Sequence, residues 1–374
     1  MRRGWWIVAA LLFSLESRAD HRFVFEPSLQ VSEVDDNNLN LSIVEPMRDR
    51  VHRITPTVAL RFDSPRWRVT GGYSLDSERY AKNSSLDNDR ARERASVGIR
   101  YEAGPRLTLS MDGTYIGTST AADLNIDTGL AAARGRGRSL SLGSTATFRI
   151  SPQMKATVGT SGFETSVANG VGLRSQVQAF ILERRVTPRD LFNIHYENIH
   201  LQFGEGTSQR SNTQFLVGRW IHEFRAHNRV TIQVGPRLSD GELAADVAAI
   251  VSHTWKSSSI ALSFTRNQTT VIGYAGPVDT RVLQTKFAFT PNRRLTAYAT
   301  PAIFRSTHRQ LEGTVFRFSL GARYALNSLI DADVAYNRDM QNGGIDPLFT
   351  NAKISHATLS LGLVTRWNNP DRRR

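Results

Sequence analysis

Ala357-Thr358-Leu359-Ser360-Leu361-Gly362-Leu363-Val364-Thr365-Arg366-Trp367 alternates apolar with small or polar residues and stops on an aromatic. Side chains alternate across a strand, so Ala357, Leu359, Leu361, Leu363 and Trp367 share one face. Thr358, Ser360, Gly362 and Arg366 share the other. A strand in a soluble core seldom keeps one face so small and polar. The run reads as the closing strand of a transmembrane β-barrel, polar face to the water-filled lumen, apolar face to lipid, and Trp367 in the interfacial aromatic girdle. Barrel assembly machinery, acting on this strand, is an expected partner.

At the other end, Arg2 and Arg3 precede an apolar run from Trp5 to Leu15, and Ser17-Arg18-Ala19 follows. A charged start, a short apolar stretch and small residues before the cut describe a secretory signal peptide, residues 1–19, cleaved after Ala19. The run is shorter than the ~20 residues a membrane helix needs. The chain has no cysteine, so neither a disulfide framework nor a lipidated cysteine is available. Its net charge is +13; removing Arg2, Arg3 and Arg18 against Glu16 leaves about +11 on the mature chain. For an exported protein that charge points to lipopolysaccharide outside the barrel or an anionic solute or polymer within it, and away from nucleic acid.

Residues 20–367 divide into stretches of ~10 to 15 residues with period-two alternation and no helical stripe. They form one all-β domain, an antiparallel barrel of about 18 strands; 16 fits if Gly172 to Arg184 and Gln214 to Phe224, which alternate poorly, are not strands. Short connections carry Pro, Gly, Asn or Ser: Asp63-Ser64-Pro65, Ala103-Gly104-Pro105, Ser151-Pro152-Gln153, Thr187-Pro188-Arg189, Ala226-His227-Asn228, Lys256-Ser257-Ser258, Pro291-Asn292-Arg293 and Asn327-Ser328. Between them fall longer ones: Asp35 to Asp49, Ala81 to Asn88, Thr118 to Gly135, Ala168 to Gly172, Gly204 to Gln209, Gly273 to Val278, Thr307 to Gly313 and Gln341 to Asn351. Short turns at one rim and long loops at the other match periplasmic and extracellular ends, with both termini periplasmic in a Gram-negative outer membrane. A two-sheet soluble sandwich explains neither this asymmetry nor the terminal aromatic.

In Phe316-Arg317-Phe318-Ser319-Leu320-Gly321-Ala322-Arg323-Tyr324 the aromatic and aliphatic residues take the lipid face, which turns Arg317 and Arg323 inward. The same assignment turns in Arg53, Arg61, Arg66, Arg68, Arg94, Arg100, Arg106, Arg149, Lys155, Arg229, Arg237, Lys286, Arg294 and Arg366. Inward acids are fewer: Glu26, Asp76, Asp112, Glu197, Asp246, Asp331 and Asp333. The surplus calls for a hydrated lumen, since a dry unpaired guanidinium costs several kcal/mol. Arg61, Arg66, Arg68, Arg100, Arg106, Arg149, Lys155, Arg294 and Arg366 flank short turns and would form a basic collar at the periplasmic mouth. Pairing with inward acids is the plainer role for any one of them. On the outer face Trp67, Tyr73, Tyr101, Tyr115, Phe148, Phe192, Trp255, Phe289 and Trp367 suit the girdle, while Tyr298 and Phe304 point inward as lumen packing or a sugar-stacking platform.

The nine histidines show no HExxH or other metal-ligand spacing, and His195 and His200 face opposite sides of one strand. No GxSxG elbow, P-loop or calcium loop is present. Neither a catalytic site, a metal nor a cofactor is expected. Asp35-Asp36-Asn37-Asn38 reads as a solvated turn rather than a cation site.

The N-terminal run Phe25-Glu26-Pro27-Ser28-Leu29-Gln30-Val31-Ser32-Glu33-Val34-Asp35-Asp36-Asn37-Asn38-Leu39, followed by Arg53-Ile54-Thr55-Pro56-Thr57-Val58-Ala59-Leu60 and by Trp67 to Tyr80, resembles the β-barrel porins encoded with exopolysaccharide and exosortase systems. The resemblance occupies the first ~65 mature residues and departs at Val34, where an aromatic is usual. It implies an outer-membrane conduit for export of a polysaccharide, an anionic one given the basic lumen, working with periplasmic or inner-membrane export components. The same lumen also suits a general or anion-selective diffusion porin, and a plugged structural or adhesive barrel is a third reading. Of the longest loops, Thr118 to Gly135 with its Ala-rich centre is the better candidate to fold inward. Asn368 to Arg374 reads as a basic periplasmic tail.

Overall fold

The computed structural model describes residues 21–125, 127–130, 135–168, 170–204, 209–225, 227–345 and 353–367. The segments expected as a signal peptide, residues 1–19, and as a basic tail, Asn368 to Arg374, lie outside the described residues. Eighteen antiparallel strands run in chain order: β1 (Arg22–Asp36), β2 (Asp49–Asp63), β3 (Trp67–Tyr80), β4 (Asn88–Glu102), β5 (Leu107–Thr118), β6 (Gly137–Ser151), β7 (Met154–Val167), β8 (Leu173–Arg185), β9 (Asp190–Phe203), β10 (Gln209–Glu223), β11 (Asn228–Ser239), β12 (Glu242–Thr254), β13 (Ser258–Thr270), β14 (Pro277–Phe289), β15 (Leu295–His308), β16 (Leu311–Ala325), β17 (Ile330–Gly343) and β18 (Lys353–Arg366). Each pairs with its sequence neighbours, and β1 pairs with β18 as well as β2, which closes the barrel.

The two segments that alternate poorly are both strands, β8 and β10, so the count is eighteen rather than sixteen. The sequence reading passes over one turn, Asp240-Gly241, between β11 and β12. Both residues take positive φ, 49° and 88°, the handedness that a two-residue hairpin turn requires. Thr307 to Gly313, expected as a longer loop, is also tight. His308 pairs with Leu311, so only Arg309 and Gln310 connect β15 to β16. The chain enters β1 and leaves β18 at the rim of the short turns, where Arg22 opposes Asp63 and Thr365 opposes Ile330.

Burial is inverted relative to a soluble protein. Large apolar side chains such as Phe25, Val31, Ile54, Leu142, Phe180, Ile232, Leu283, Leu361 and Leu363 stand exposed on the outer face, a surface that only lipid covers at this extent. Among the described residues no helix is long and apolar enough to cross a membrane; the strands cross it. Aromatic pairs mark the short-turn edge of the apolar band, with Trp67 stacked on Tyr101 at 4.2 Å and Phe192 on Trp220 at 6.3 Å. Rings with a polar handle favour that boundary.

The wall folds inward at one place. β12 pairs with β13 only from Val247–Arg266 to Thr254–Ser259, although β12 continues to Glu242 along β11 and β13 to Thr270 along β14. The freed tip of the β13–β14 hairpin reaches the inner faces of β10 and β11. There Thr213 Oγ1 donates to Gln268 Oε1 at 2.8 Å and Gln268 Nε2 donates to Ser239 Oγ at 3.0 Å. Arg237, expected in a hydrated lumen, is instead 2% exposed, clamped between Asp246 at 2.5 Å and Asp279 of β14. The hairpin covers it, and two carboxylates take the place of water.

Arg237→Met leaves two facing carboxylates without their cation. Breaking a buried pair costs ~3–5 kcal/mol, and Asp279 keeps 41% of its side chain exposed, which sets the lower end. Urea unfolding in lipid vesicles should show a loss of about 3 kcal/mol, and an unchanged midpoint would refute the clamp.

Candidate permeation pathway

Most of the sequence-derived basic residues line the short-turn end of the lumen, brought there because inward positions of successive strands fall side by side just inside each turn. Several are paired. Asp63 holds Arg61 at 2.5 Å and Arg68 at 2.8 Å; Lys155 meets Glu183 at 2.8 Å, Arg323 meets Asp333 at 3.2 Å, Arg100 meets Glu102 at 3.6 Å and Arg366 meets Asp331 at 3.7 Å. Arg66, Arg106, Arg149, Arg229 and Arg294 have no ion-pair partner among the described residues. At this end two like-charged pairs stand directly opposite in the ladders, Arg68 against Arg100 and Arg149 against Lys155. Such pairs destabilise a sheet. Asp112 lies on the inner face beside Gly143, whose missing side chain leaves room for its carboxylate.

Deeper in, the charges interlock. Asp76 is 3% exposed and faces Arg92 at 3.6 Å, Arg94 at 3.9 Å and Arg53 at 4.0 Å, with the Thr55 hydroxyl donating to it at 2.9 Å. Arg53 also reaches Glu78 at 2.7 Å, which accepts a hydrogen bond from Tyr80 at 2.6 Å. Across the lumen Arg317 pairs with Asp339 at 2.8 Å and lies over the Phe304 ring. Of these, Arg53, Glu78, Arg92, Arg317 and Asp339, with His356 held to Asp36 at 3.1 Å, line a cavity of about 440 Å³. A second cavity of about 810 Å³ lies against β9 to β13, lined by Arg219, Arg229, Arg237 and Asp246. Arg317 and Arg237 therefore sit away from the mouth. Sequence reasoning missed Arg92 and Glu78; Arg92 lies two residues from Arg94 and so shares its inward face, a signal that was available. His195 and His200 do face opposite sides, with His195 against Glu197 at 2.8 Å on the inner face. Tyr298 lies flat over Gly321 on the inner wall.

The described part of the loop between β5 and β6, residues 119–125 and 127–130, enters this space. Asp123 anchors its start, 2.6 Å from Arg92 and accepting from Thr118 Oγ1 at 3.0 Å. Farther along, Asn125 Oδ1 accepts from the Ile272 backbone N–H at 2.8 Å. Leu130 is buried against Phe304, Val315, Val271, Val278 and Ile345. Those contacts belong to β14 to β16 and the neighbouring loops, about nine strands around an eighteen-stranded wall from β5. The loop thus crosses the lumen from one side to the other. Gly129 takes φ 64° with its α-carbon against the Phe304 ring, a backbone state and a clearance that suit glycine. A further loop contact, the bridge between Val171 and Gly273, joins the β7–β8 and β13–β14 connections.

No protein-family model matches this chain, and no curated protein matches its sequence. Solved structures match its architecture. OccK7 (OpdD) of Pseudomonas aeruginosa aligns with TM-score 0.54 and 12% identity over 94% of this chain and 100% of that one. OpdQ of the same organism aligns with TM-score 0.52 and 8% identity over 93% and 97%, and its OccK5 (OpdH) with TM-score 0.50 and 9% identity over 92% and 98%. At these identities the likeness is one of fold: a closed antiparallel barrel, matched over more than nine-tenths of this chain.

Leu130→Asp should unseat the loop, because a carboxylate cannot replace a buried leucyl side chain worth ~1.5–3 kcal/mol against Phe304 and Val315. Single-channel recordings should show a rise in conductance, since an 18-stranded lumen freed of its crossing loop is wide enough for an open aqueous channel; unchanged conductance would mean that the loop does not limit flow.

Proposed function

We propose that this protein is an outer-membrane diffusion porin that favours small anionic solutes. The short-turn rim is then periplasmic and the looped rim extracellular, facing lipopolysaccharide. The observation that carries the reading is the mouth itself: Arg68 stands opposite Arg100 and Arg149 opposite Lys155, while Arg106, Arg229 and Arg294 have no acid to pair with among the described residues. A wall built only for stability would alternate signs there. Some of these cations are also held by acids, Arg68 by Asp63, Arg100 by Glu102 and Lys155 by Glu183, but the surplus leaves the mouth net positive. That raises the local concentration of anions before they enter, and salt weakens the effect over a Debye length of ~10 Å at 0.1 M. An 18-stranded barrel is wide enough to hold an aqueous channel. The work asked of the protein is passive, so no catalytic group enters the mechanism.

Export of an anionic polysaccharide, implied by the N-terminal resemblance, uses the same basic mouth but needs more of the lumen. A threading polymer must displace the loop 119–136 from its seat around Leu130, whereas a small solute needs only the hydrated space beside it. The fold likenesses accord with the small-solute reading, which is therefore preferred.

Reversal potentials across planar bilayers under a salt gradient should show anion preference that falls severalfold when Arg106, Arg149 and Arg294 are changed together to Gln, and that falls in the unaltered protein as salt rises. Selectivity indifferent to these changes would remove the electrostatic basis of the proposal. Reversible block by an acidic but not a neutral polysaccharide would shift the assignment to the polymer.

A further inference from the structure

β8 and β10, whose sequences alternate poorly, fold as regular strands because their inner faces are buried, with Leu173, Ser175, Thr213 and Val217 covered from within. It is the outer face that breaks the pattern. Gln178, Asn198 and Gln214 stand side by side in the ladder across β8, β9 and β10, and Gln176, His200 and Asn212 form the next row. Six residues of a strand tilted by about 40° rise roughly 15 Å, well inside an apolar band ~25 Å tall. Six residues beyond the girdle aromatic, other strands carry Tyr73, Leu142, Leu283, Phe318 and Leu361, counted from Trp67, Phe148, Phe289, Tyr324 and Trp367. The same count from Phe192 and Trp220 arrives at Asn198 and Gln214.

These groups are unsatisfied. Asn198 Nδ2 lies 3.1 Å from His200 Nε2, but the side-chain amides of Gln176, Gln178, Asn212 and Gln214 have no hydrogen-bond partner among the described residues. Lipid offers them none, and an amide held in hydrocarbon without a partner is costly.

We propose that the outer face of β8 to β10 is where a second copy of this chain docks. An amide both donates and accepts, so a row of them is complementary to itself across a two-fold axis. The two amide rows carry no formal charge apart from the titratable His200; the charges of this face stand at its edges, Arg174, paired with Glu164 at 3.0 Å, and Arg210 in the row beyond His200, and Arg184 and Asp190 beside the short turns. In a chain of net charge +13, these central rows are where two copies meet without repulsion. Alongside, β7 presents Thr160 and Gly162, small enough to let a second wall approach closely.

The absence of native cysteine permits a direct test. Asn198→Cys and, on the opposite wall, Leu361→Cys are crosslinked in lipid vesicles with a short bis-maleimide. The variant with Gln178, Asn198 and Gln214 all changed to Leu is weighed by native mass spectrometry from mild detergent, its barrel checked by heat-modifiable migration. Docking predicts a crosslinked dimer from Asn198→Cys at least tenfold more abundant than from Leu361→Cys, and a dimer in the unaltered protein that the triple variant converts to folded monomer. Leucine at these sites suits lipid, so loss of the dimer is not loss of the barrel. An unaltered protein that is monomeric, a dimer that survives the triple change, or a face occupied by lipopolysaccharide or by a different protein would each overturn the proposal.

Discussion

Closure of the sheet is the constraint from which the rest follows. In hydrocarbon a strand edge has no water to satisfy its N–H and C=O groups, so the first strand must meet the last. Ser28 to Asp36 of β1 run against Arg366 to Thr358 of β18. The ladder ends at Pro27, which has no N–H to offer; its carbonyl accepts the Trp367 N–H at 3.2 Å, and the terminal aromatic is fixed at the seam. Side chains reinforce the other end. Asn38 Nδ2 donates to the Ser355 carbonyl at 3.1 Å and the Ala357 N–H donates to Asn37 Oδ1 at 2.7 Å. The Asp-Asn run expected as a solvated turn is instead a latch across the seam, with Asn38 buried in it.

Once the cylinder is closed, its two faces answer to different solvents, and charge is sorted by height. At the short-turn end cations outnumber acids and several stand unpaired. In the upper lumen the count is nearly balanced, with Asp76, Glu78, Asp123 and Asp339 each drawn to an arginine. The upper part is crowded by the crossing loop and the inward hairpin, and a carboxylate and a guanidinium brought out of water must find each other there. The wide mouth imposes no such condition, which is why surplus charge accumulates there.

The sequence was most legible where one face met lipid and the other met water. The run to Trp367, the aromatics beside the short turns and the inward parity of Arg317 and Arg323 all follow from a period of two. Legibility failed where that rule is overridden. β8 and β10 were doubtful because their outer residues are amides rather than aliphatics. Asp240-Gly241 was missed because a two-residue turn leaves almost no break in the alternation. Arg237 was read as hydrated because nothing local announces that the tip of β13 and β14, some forty residues away in the chain, will cover it. Glu78 is legible by the same rule, two residues from the inward Asp76; the bulge beside it lies on β4 and leaves the alternation of β3 intact.

The crossing loop also has a mechanical consequence. It is tied at Asp123 to Arg92 on one wall and seated through Leu130 on Phe304 and Val315 of the other, so it spans the cylinder as a strut spans a hoop. A thin-walled tube under lateral pressure from the bilayer deforms most easily by flattening, and a strut across its diameter opposes that mode while leaving the space to either side open. Since Asn125 also accepts from the backbone of Ile272, release of the strut would remove one hold on the inward hairpin and leave those through Gln268 and Asp279. The width of the passage and the roundness of the wall are thus set by one set of contacts.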